Sequence, residues 1–579
     1  MSIAQEYPRR PAVRSLNGLR SETSILWLLA LLIGLLSIAP LTRLIWAAIA
    51  PEGVPDMARI GQLLSSTKVL RATGNTLGIA LAATAMAVVL GTLAAWLVAL
   101  TNMRAKRAWV FAFILPLMIP PQVTALAWVQ ALSPSSWIVA LLNGIGLTLS
   151  SDGKQPLYSA WGIILLLGLH NAPLVFLSVR AGLRRLPADL VEAARITGAS
   201  PLRVMRTVIL PLARPAIFAG AALSFVAAAG NFGIQAMLGI PGRVPTLITL
   251  IYQQLNNNGA EALPDLALLS LLIAAITVGG MVISRVLGGR RDVRVTGTPR
   301  QLQQPLGRWR LPVELLVWVA IVLTLVLPLS ALVTTSLTSG FGQALNWSTL
   351  TWANYQNALF DFPAVRNAFI TSLGLTLLAV IVLTVMALFM AFFLTWQRTR
   401  LARVLELSSE LAYALPGIVI GIAAILFFLK PLPLVNISLY GTVWIILAAY
   451  LSNFLALVLR PTLAGFAQIE RSLDEAAQLA GAGFLRRMRD ILLPLAAPSA
   501  MAGAILVFLT ALNEIQVSIL LVTANSQTLG PMIVALDEGG SSTLAAAVGC
   551  LMIVVVLLFM LLASCVAKRL PEGVLPWQV

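Results

Sequence analysis

Long apolar runs alternate with short polar segments along the whole of this chain. The runs fall near residues 24–47, 76–101, 108–132, 158–182, 215–239 and 264–287, and again near 311–336, 368–397, 405–429, 439–465, 498–523 and 543–566. A helix needs about 20 apolar residues to cross the hydrocarbon of a bilayer, so each of the twelve runs predicts a transmembrane helix. A lipid-facing strand would alternate apolar and polar residues with period two; these runs are apolar on every face. The pattern therefore predicts an all-α polytopic membrane protein with about twelve transmembrane helices.

The polar segments carry the second message. With the N-terminus placed in the cytoplasm, the cytoplasmic segments hold 31 Lys and Arg residues and the opposite side holds 8, out of 39 in all. Basic residues concentrate in short cytoplasmic loops, so both termini are expected in the cytoplasm. The segment 288–310, GGRRDVRVTGTPRQLQQPLGRWR, is polar, basic and rich in Gly and Pro. It reads as a cytoplasmic linker between a first unit, 1–287, and a second, 311–579. Six spans per unit make both units cross in the same sense. The expected symmetry is thus a parallel repeat about an axis along the membrane normal.

Composition narrows the class further. Only 11% of the 579 residues are charged and 59% are apolar, whereas soluble domains carry about 25% charged residues. The net charge of +17 sits in loops between apolar runs rather than on a face with interleaved aromatics, which argues against a nucleic-acid-binding surface. Cys550 and Cys565 lie in one apolar run and offer neither a disulfide framework nor metal-ligand spacing. The first apolar run has no small-residue cleavage site after it and reads as a retained helix rather than a signal peptide.

Two polar segments are one element written twice. Residues 192–215 read EAARITGASPLRVMRTVILPLARP and residues 475–498 read EAAQLAGAGFLRRMRDILLPLAAP. Glu192, Ala193, Ala194, Gly198, Leu210, Pro211 and Pro215 recur as Glu475, Ala476, Ala477, Gly481, Leu493, Pro494 and Pro498, each 283 residues on. Such a repeat defines an architecture. Each copy, spanning 188–215 or 471–498, falls between the fourth and fifth runs of its half, on the basic side. Asp189 and Ser472 stand three residues before the glutamates, a capping-box spacing. The glycine predicts a helix end. Ser200-Pro201 predicts a second short helix, ending at Leu-Pro. The product would be a helix, a turn and a helix on the cytoplasmic face, with small residues that let another protein approach closely.

This pattern resembles the Glu-Ala-Ala motif of type I ABC importer permeases: Glu-Ala-Ala, three residues, Gly, nine residues, then Ile, any residue, Leu-Pro. The second copy matches throughout, with Ile491; the first has Val208 at the isoleucine position. A fused pair resembles the branch that contains ferric-iron and thiamine permeases. The resemblance implies that Glu192, Ala193, Ala194, Gly198, Leu210 and Pro211, with Glu475, Ala476, Ala477, Gly481, Leu493 and Pro494, dock an ATP-hydrolysing subunit. It implies two copies of that ATPase, a periplasmic substrate-binding protein and a bacterial inner membrane. No G-x-x-x-x-G-K-[ST] phosphate loop is present; Gly153-Lys154 is followed by Gln155. ATP and Mg would then belong to the partner, and this chain would be a transport subunit without its own catalytic residues or cofactor.

Polar side chains inside apolar runs are costly and often functional. Glu514 in the eleventh run and Asn231 in the fifth lie about sixteen residues past Pro498 and Pro215. At ~1.5 Å per residue that is about 24 Å from the cytoplasmic end, in the outer half. Gln235, Asn513 and Gln516 are near neighbours. These five are the candidate pathway residues; interhelical hydrogen bonding is the competing role for the amides. His170 is the only histidine and reads as a bundle contact. No cluster in the sequence resembles a metal site. Pro120-Pro121 and Pro416-Gly417 should kink the third and ninth helices. The expected function is the pathway-forming permease of an ATP-driven importer, with ferric iron as first cargo and thiamine or aminoalkylphosphonate as alternatives. A secondary transporter would need coupling acids, which are scarce here, and would leave the paired loops unexplained. A membrane scaffold would leave the matched polar groups unexplained.

Overall fold

The computed structural model describes residues 16–146, 155–184, 188–289, 305–431 and 436–567. Most of the predicted linker, residues 290–304, and the Gly153-Lys154 pair lie outside them. The described residues are helical, apart from turns, loops and isolated bridge positions such as the pair Thr338 and Leu350. Among them, ten helices are long and apolar enough to cross a membrane: Glu22–Ile49, Thr67–Leu100, Ala160–Leu183, Met205–Gly230 and Leu263–Gly288 in the first half, and Gly307–Ser336, Pro363–Gln397, Val443–Phe466, Phe484–Leu512 and Ser542–Cys565 in the second.

The third and ninth runs are broken rather than kinked. Lys106–Met118 meets Pro121–Ala131 at 101°, and Arg400–Ala414 meets Gly417–Phe428 at 115°. The cause is local. A residue before proline is pushed out of the helical region. Ile119 and Leu415 accordingly take ψ of 134° and 145°, and Pro120 and Pro416 follow at 137° and 141°. Two extended residues in succession turn the chain through about a right angle.

Each bent pair still crosses the bundle once. The Arg104 amide donates to Glu314 near the start of Gly307–Ser336, while Pro121–Ala131 packs on Leu327–Ser336, the far half of that helix. The second pair lies in the same way along Glu22–Ile49. The first span of each half therefore packs against the bent span of the other half, and the two halves interlock. Both repeated loops lie at one end of the bundle. Arg487 of the second loop pairs with Glu22 at the start of the first span. Arg214, at the end of the first loop, donates to the Leu287 carbonyl at the end of the sixth run. Arg59 and Asp265 mark the opposite end, where they pair at 2.9 Å.

Proline also shapes the spans. The π turns Gly34–Ile38, Met205–Ile209, Val322–Val326, Asn357–Asp361 and Met488–Leu492 each end two residues before a proline. A proline ring clashes with the carbonyl four residues back and supplies no N–H; the wider π turn opens room for it. Glycine sets the spacing between helices, since small residues let membrane helices approach. A Cβ on Gly220 would lie 3.0 Å from Val175 Cα, and one on the equivalent Gly503 2.9 Å from Val458 Cα. The same close contact thus recurs 283 residues on.

Candidate functional site: two matched loops and a central closure

The loops form a short helix, a glycine turn and a longer helix. The first helices are Ala188–Ile196 and Arg471–Leu479. Asp189 and Ser472 are inside the first turn, not at a cap. Glu470 precedes the second helix without a side-chain cap bond, and Ser472 donates to the Glu470 carboxylate at 3.2 Å. The capping boxes are therefore absent, because the helices begin earlier than the spacing suggests. The C-termini follow the sequence closely. Gly198 and Gly481 take φ of +80° and +81°, a conformation in which a Cβ is strained. Their amides donate to the Arg195 and Gln478 carbonyls, and the next amides, Ala199 and Ala482, donate to Ala194 and Ala477. This is the paired pattern that closes a helix through a left-handed glycine, and it explains the second alanine of the motif as a carbonyl acceptor.

The second helix does not end at Leu-Pro. Pro201–Val204 and Phe484–Arg487 run through the π turns Met205–Ile209 and Met488–Leu492 directly into the spans. Leu210-Pro211 and Leu493-Pro494 stand immediately after those turns, exposed on the flank of a continuous helix. The proline widens the turn before it rather than stopping the helix. A movement of the loop therefore has a stiff route into the bundle.

Matched residues face outward. Glu192 and Ala193 are exposed and Ala194 is half-buried; Glu475, Ala476 and Ala477 repeat this order. Ile196 and Leu479, 283 residues apart, are 87% and 84% exposed, and Leu190 and Leu473 are 40% and 45% exposed. With the motif alanine between them at a spacing of three residues, they form an apolar strip on each helix. Sequence reasoning misses these four. Their signal is present in the aligned repeat, as apolar residues recurring at i, i+3 and i+6 around the motif alanine.

Beneath the strips the loops differ. In the second, Arg487 is buried between two carboxylates, at 2.6 Å from Asp474 and 2.7 Å from Glu22. Gln478 donates to Asp474 at 2.7 Å and Gln397 to Glu22 at 2.6 Å. In the first, the residues equivalent to Asp474 and Arg487 are Val191 and Val204, both buried.

The candidate pathway residues gather elsewhere, at breaks in the fifth and eleventh runs. Met205–Gly230 stops at Asn231, whose side chain accepts from the Ile234 amide at 2.9 Å and caps Phe232–Gly239. Phe484–Leu512 stops before Glu514, the equivalent of Asn231. The Glu514 carboxylate accepts from the Val517 and Ser518 amides at 2.5 and 3.1 Å. Neither residue is therefore inside a continuous helix, contrary to what the run lengths suggest. Gln235 donates to the Ala228 carbonyl, Asn513 to Met118 and Gly417 to the Gln516 side chain. These bonds bring the two breaks against the two bends. Gly230 lies by Pro416, and Asn513 reaches the residue before Ile119. The level is that of the bends, which separate limbs of similar length, so it is near the middle of the bundle rather than in its outer half. His170 is buried away from other candidate ligands, and no group of three or more His, Cys, Asp or Glu suited to a metal occurs among the described residues.

Two interlocked repeats of broken membrane helices with paired surface loops define a transport protein of the permease class. The chain belongs to the family of binding-protein-dependent transport system inner membrane components, whose model matches twice, over residues 87–295 and 384–572. It is 28% identical to a probable ABC transporter permease protein of Sinorhizobium fredii, over 83% of this chain and 84% of that one. It is 26% identical to a ferric transport system permease protein of Actinobacillus pleuropneumoniae, over 75% of this chain and 62% of the relative. A putative 2-aminoethylphosphonate transport system permease protein of Salmonella typhimurium is 29% identical over 47% of this chain and 94% of its own length.

Proposed function

We propose that this chain forms the translocation pathway of an ATP-driven importer for ferric iron. In this reading each matched loop docks one copy of a separate ATPase, and a periplasmic substrate-binding protein delivers cargo to the opposite face. The loop end faces the cytoplasm of a bacterial inner membrane. The observation that carries the docking role is the equivalent exposed strip, Leu190, Ala193 and Ile196 against Leu473, Ala476 and Leu479, on helices that continue into the spans. ATP binding would draw the two ATPases together. The loops would pass that motion through the π turns to the breaks at Asn231 and Glu514, which open the pathway. Ferric iron is favoured because relatives named as ferric permeases match across most of this chain, 75% and 72%. The phosphonate relatives match 47% of it and the molybdenum relatives 35% and 39%.

The test has two arms. The assembled transporter should take up radiolabelled ferric iron in an ATP-dependent manner, and the purified chain should hydrolyse no ATP by itself. Single cysteines at Ser200 and Gly483 should stay unlabelled by an impermeant thiol reagent in intact cells with an opened outer barrier. ATP-independent uptake or rapid labelling would overturn the reading.

A further inference from the structure

We infer that Gln122 is the seal of the central closure and that this closure is a selectivity site for hard metal cations rather than oxyanions. The inference rests on the importer reading above and adds the chemistry that the pathway accepts. Gln122 is fully buried at the start of Pro121–Ala131, just past the first bend. It is wedged between glycines of the two halves. A Cβ on Gly233 would lie 2.8 Å from the Gln122 backbone nitrogen and 3.2 Å from its Oε1; one on Gly530 would lie 3.3 Å from its Nε2 and 3.0 Å from the Glu514 carbonyl. A side chain at Gly233 would clash with the Gln122 backbone, and one at Gly530 would crowd its amide.

Neither side-chain polar atom of Gln122 has a hydrogen-bond partner, and the same holds for Gln235 Oε1 and Asn513 Oδ1. For the last two the choice of oxygen is fixed, because their nitrogens donate to Ala228 and Met118. Buried polar groups are nearly always paired, and an orphan calls for a reason. A closed gate supplies one: groups that are dry when the pathway is shut are wetted, or meet cargo, when it opens.

The free atoms are mostly oxygens. Three amide oxygens, with the Glu514 main-chain carbonyl beside Gly530, are acceptors at this level, and the side chains assembled here carry no positive charge. An oxyanion seeks donors and cations. A hard metal ion, or the water shell around it, seeks oxygens. The halves are not equivalent at this point. Gln122 has Ile418 as its counterpart after the second bend, and Gly230 and Gly233 correspond to Asn513 and Gln516. The site is thus a single asymmetric one built from both halves.

The experiment compares wild type, Gln122→Leu and Gln122→Glu in the complete transporter, with ferric iron, manganese, molybdate and 2-aminoethylphosphonate as probes. Gln122→Leu removes the orphaned amide at similar volume. It should raise the thermal midpoint of the purified chain, because an apolar group replaces unpaired polar atoms. It should also lower metal uptake at least tenfold while the ATPase stays attached. Gln122→Glu should keep at least a third of metal uptake, since it restores an oxygen. Unchanged metal uptake in Gln122→Leu overturns the inference, as does wild-type uptake of molybdate or 2-aminoethylphosphonate in preference to either metal. That second result would also remove the ferric cargo proposed above, while leaving ATP-driven import and the docking loops intact. Uptake of manganese without ferric iron would instead remove the cargo proposed above and keep the selectivity site.

Discussion

At several pairs of equivalent positions the second half carries charge where the first half is neutral. Asp474 and Arg487 stand where the first loop has Val191 and Val204; Glu514 stands where Asn231 caps the equivalent break. The same holds on the far side of the bundle. Helices Leu247–Asn258 and Leu529–Glu538 both follow a threonine, Thr246 or Thr528. Nine and ten residues past it the first has Leu255 and Asn256, the second Asp537 and Glu538. One backbone plan is thus built with two kinds of energy. An apolar pair tolerates small displacements at little cost. A buried ion cluster has one good geometry, because desolvated charges are compensated only when closely paired. The second loop is accordingly the more rigidly seated of the two, and Glu22 ties it to the first span of the other half.

Removing the central cation should have the largest effect. Arg487→Met strands two buried carboxylates and should cost about 3–5 kcal/mol, seen as a large fall in the thermal midpoint. Val204→Ala, the matching change in the first loop, should cost about 2 kcal/mol. Equal midpoints for the two variants would break the comparison.

The glycine turns come next. A Cβ added to Gly198 or Gly481 would meet no atom within 4 Å, so a side chain there faces backbone strain alone, about 1–2 kcal/mol. Gly198→Glu and Gly481→Glu should both leave the bundle folded and loosen ATPase co-purification and uptake. The loss should be greater for Gly198→Glu, because its loop lacks the ion cluster. Full attachment and uptake in the double variant would reduce the loops to connectors.

A smaller effect is expected when the whole cluster is made apolar. Glu22→Gln with Asp474→Val and Arg487→Val should melt within about 1 kcal/mol of wild type, since well-packed apolar groups often replace buried ion pairs without loss. If stability is regained while ATPase-coupled uptake falls, the charges serve the seating of the loop rather than its stability.

The smallest effect concerns the far side. Burial raises the carboxyl of Asp537 above its ordinary value of 3.8 and, with Asp537 nearby, that of Glu538 above 4.5. Raised carboxyls favour the unfolded state as pH increases, because the unfolded chain releases these protons first. The stability cost should be absent below pH 3.8 and grow as pH rises toward the folded values. Asp537→Asn should narrow this fall in the midpoint, whereas Leu255→Ala in the first half should shift the midpoint equally at every pH. A pH-independent Asp537→Asn effect would show that its burial is relieved in solution.

Much of this molecule was legible from residue order. The twelve runs, the parallel repeat and the turns at Gly198 and Gly481 follow from interactions that are local in the chain. Apolar length governs partition into a bilayer, and a left-handed turn demands a residue without Cβ. Other features arose only when distant segments met. The proline pairs signalled a disturbance, but a right-angle break is held by packing of each bent span against the other half's first span. Arg487 gave no sign that its partners would be Asp474 and Glu22, 13 and 465 positions away. Gln122 looked like an ordinary polar residue after two prolines. It is fully buried beside Gly233 and Gly530, which are far apart in sequence and meet it only in the folded bundle. Burial and pairing are properties of the assembled interior, so tertiary structure alone could decide them.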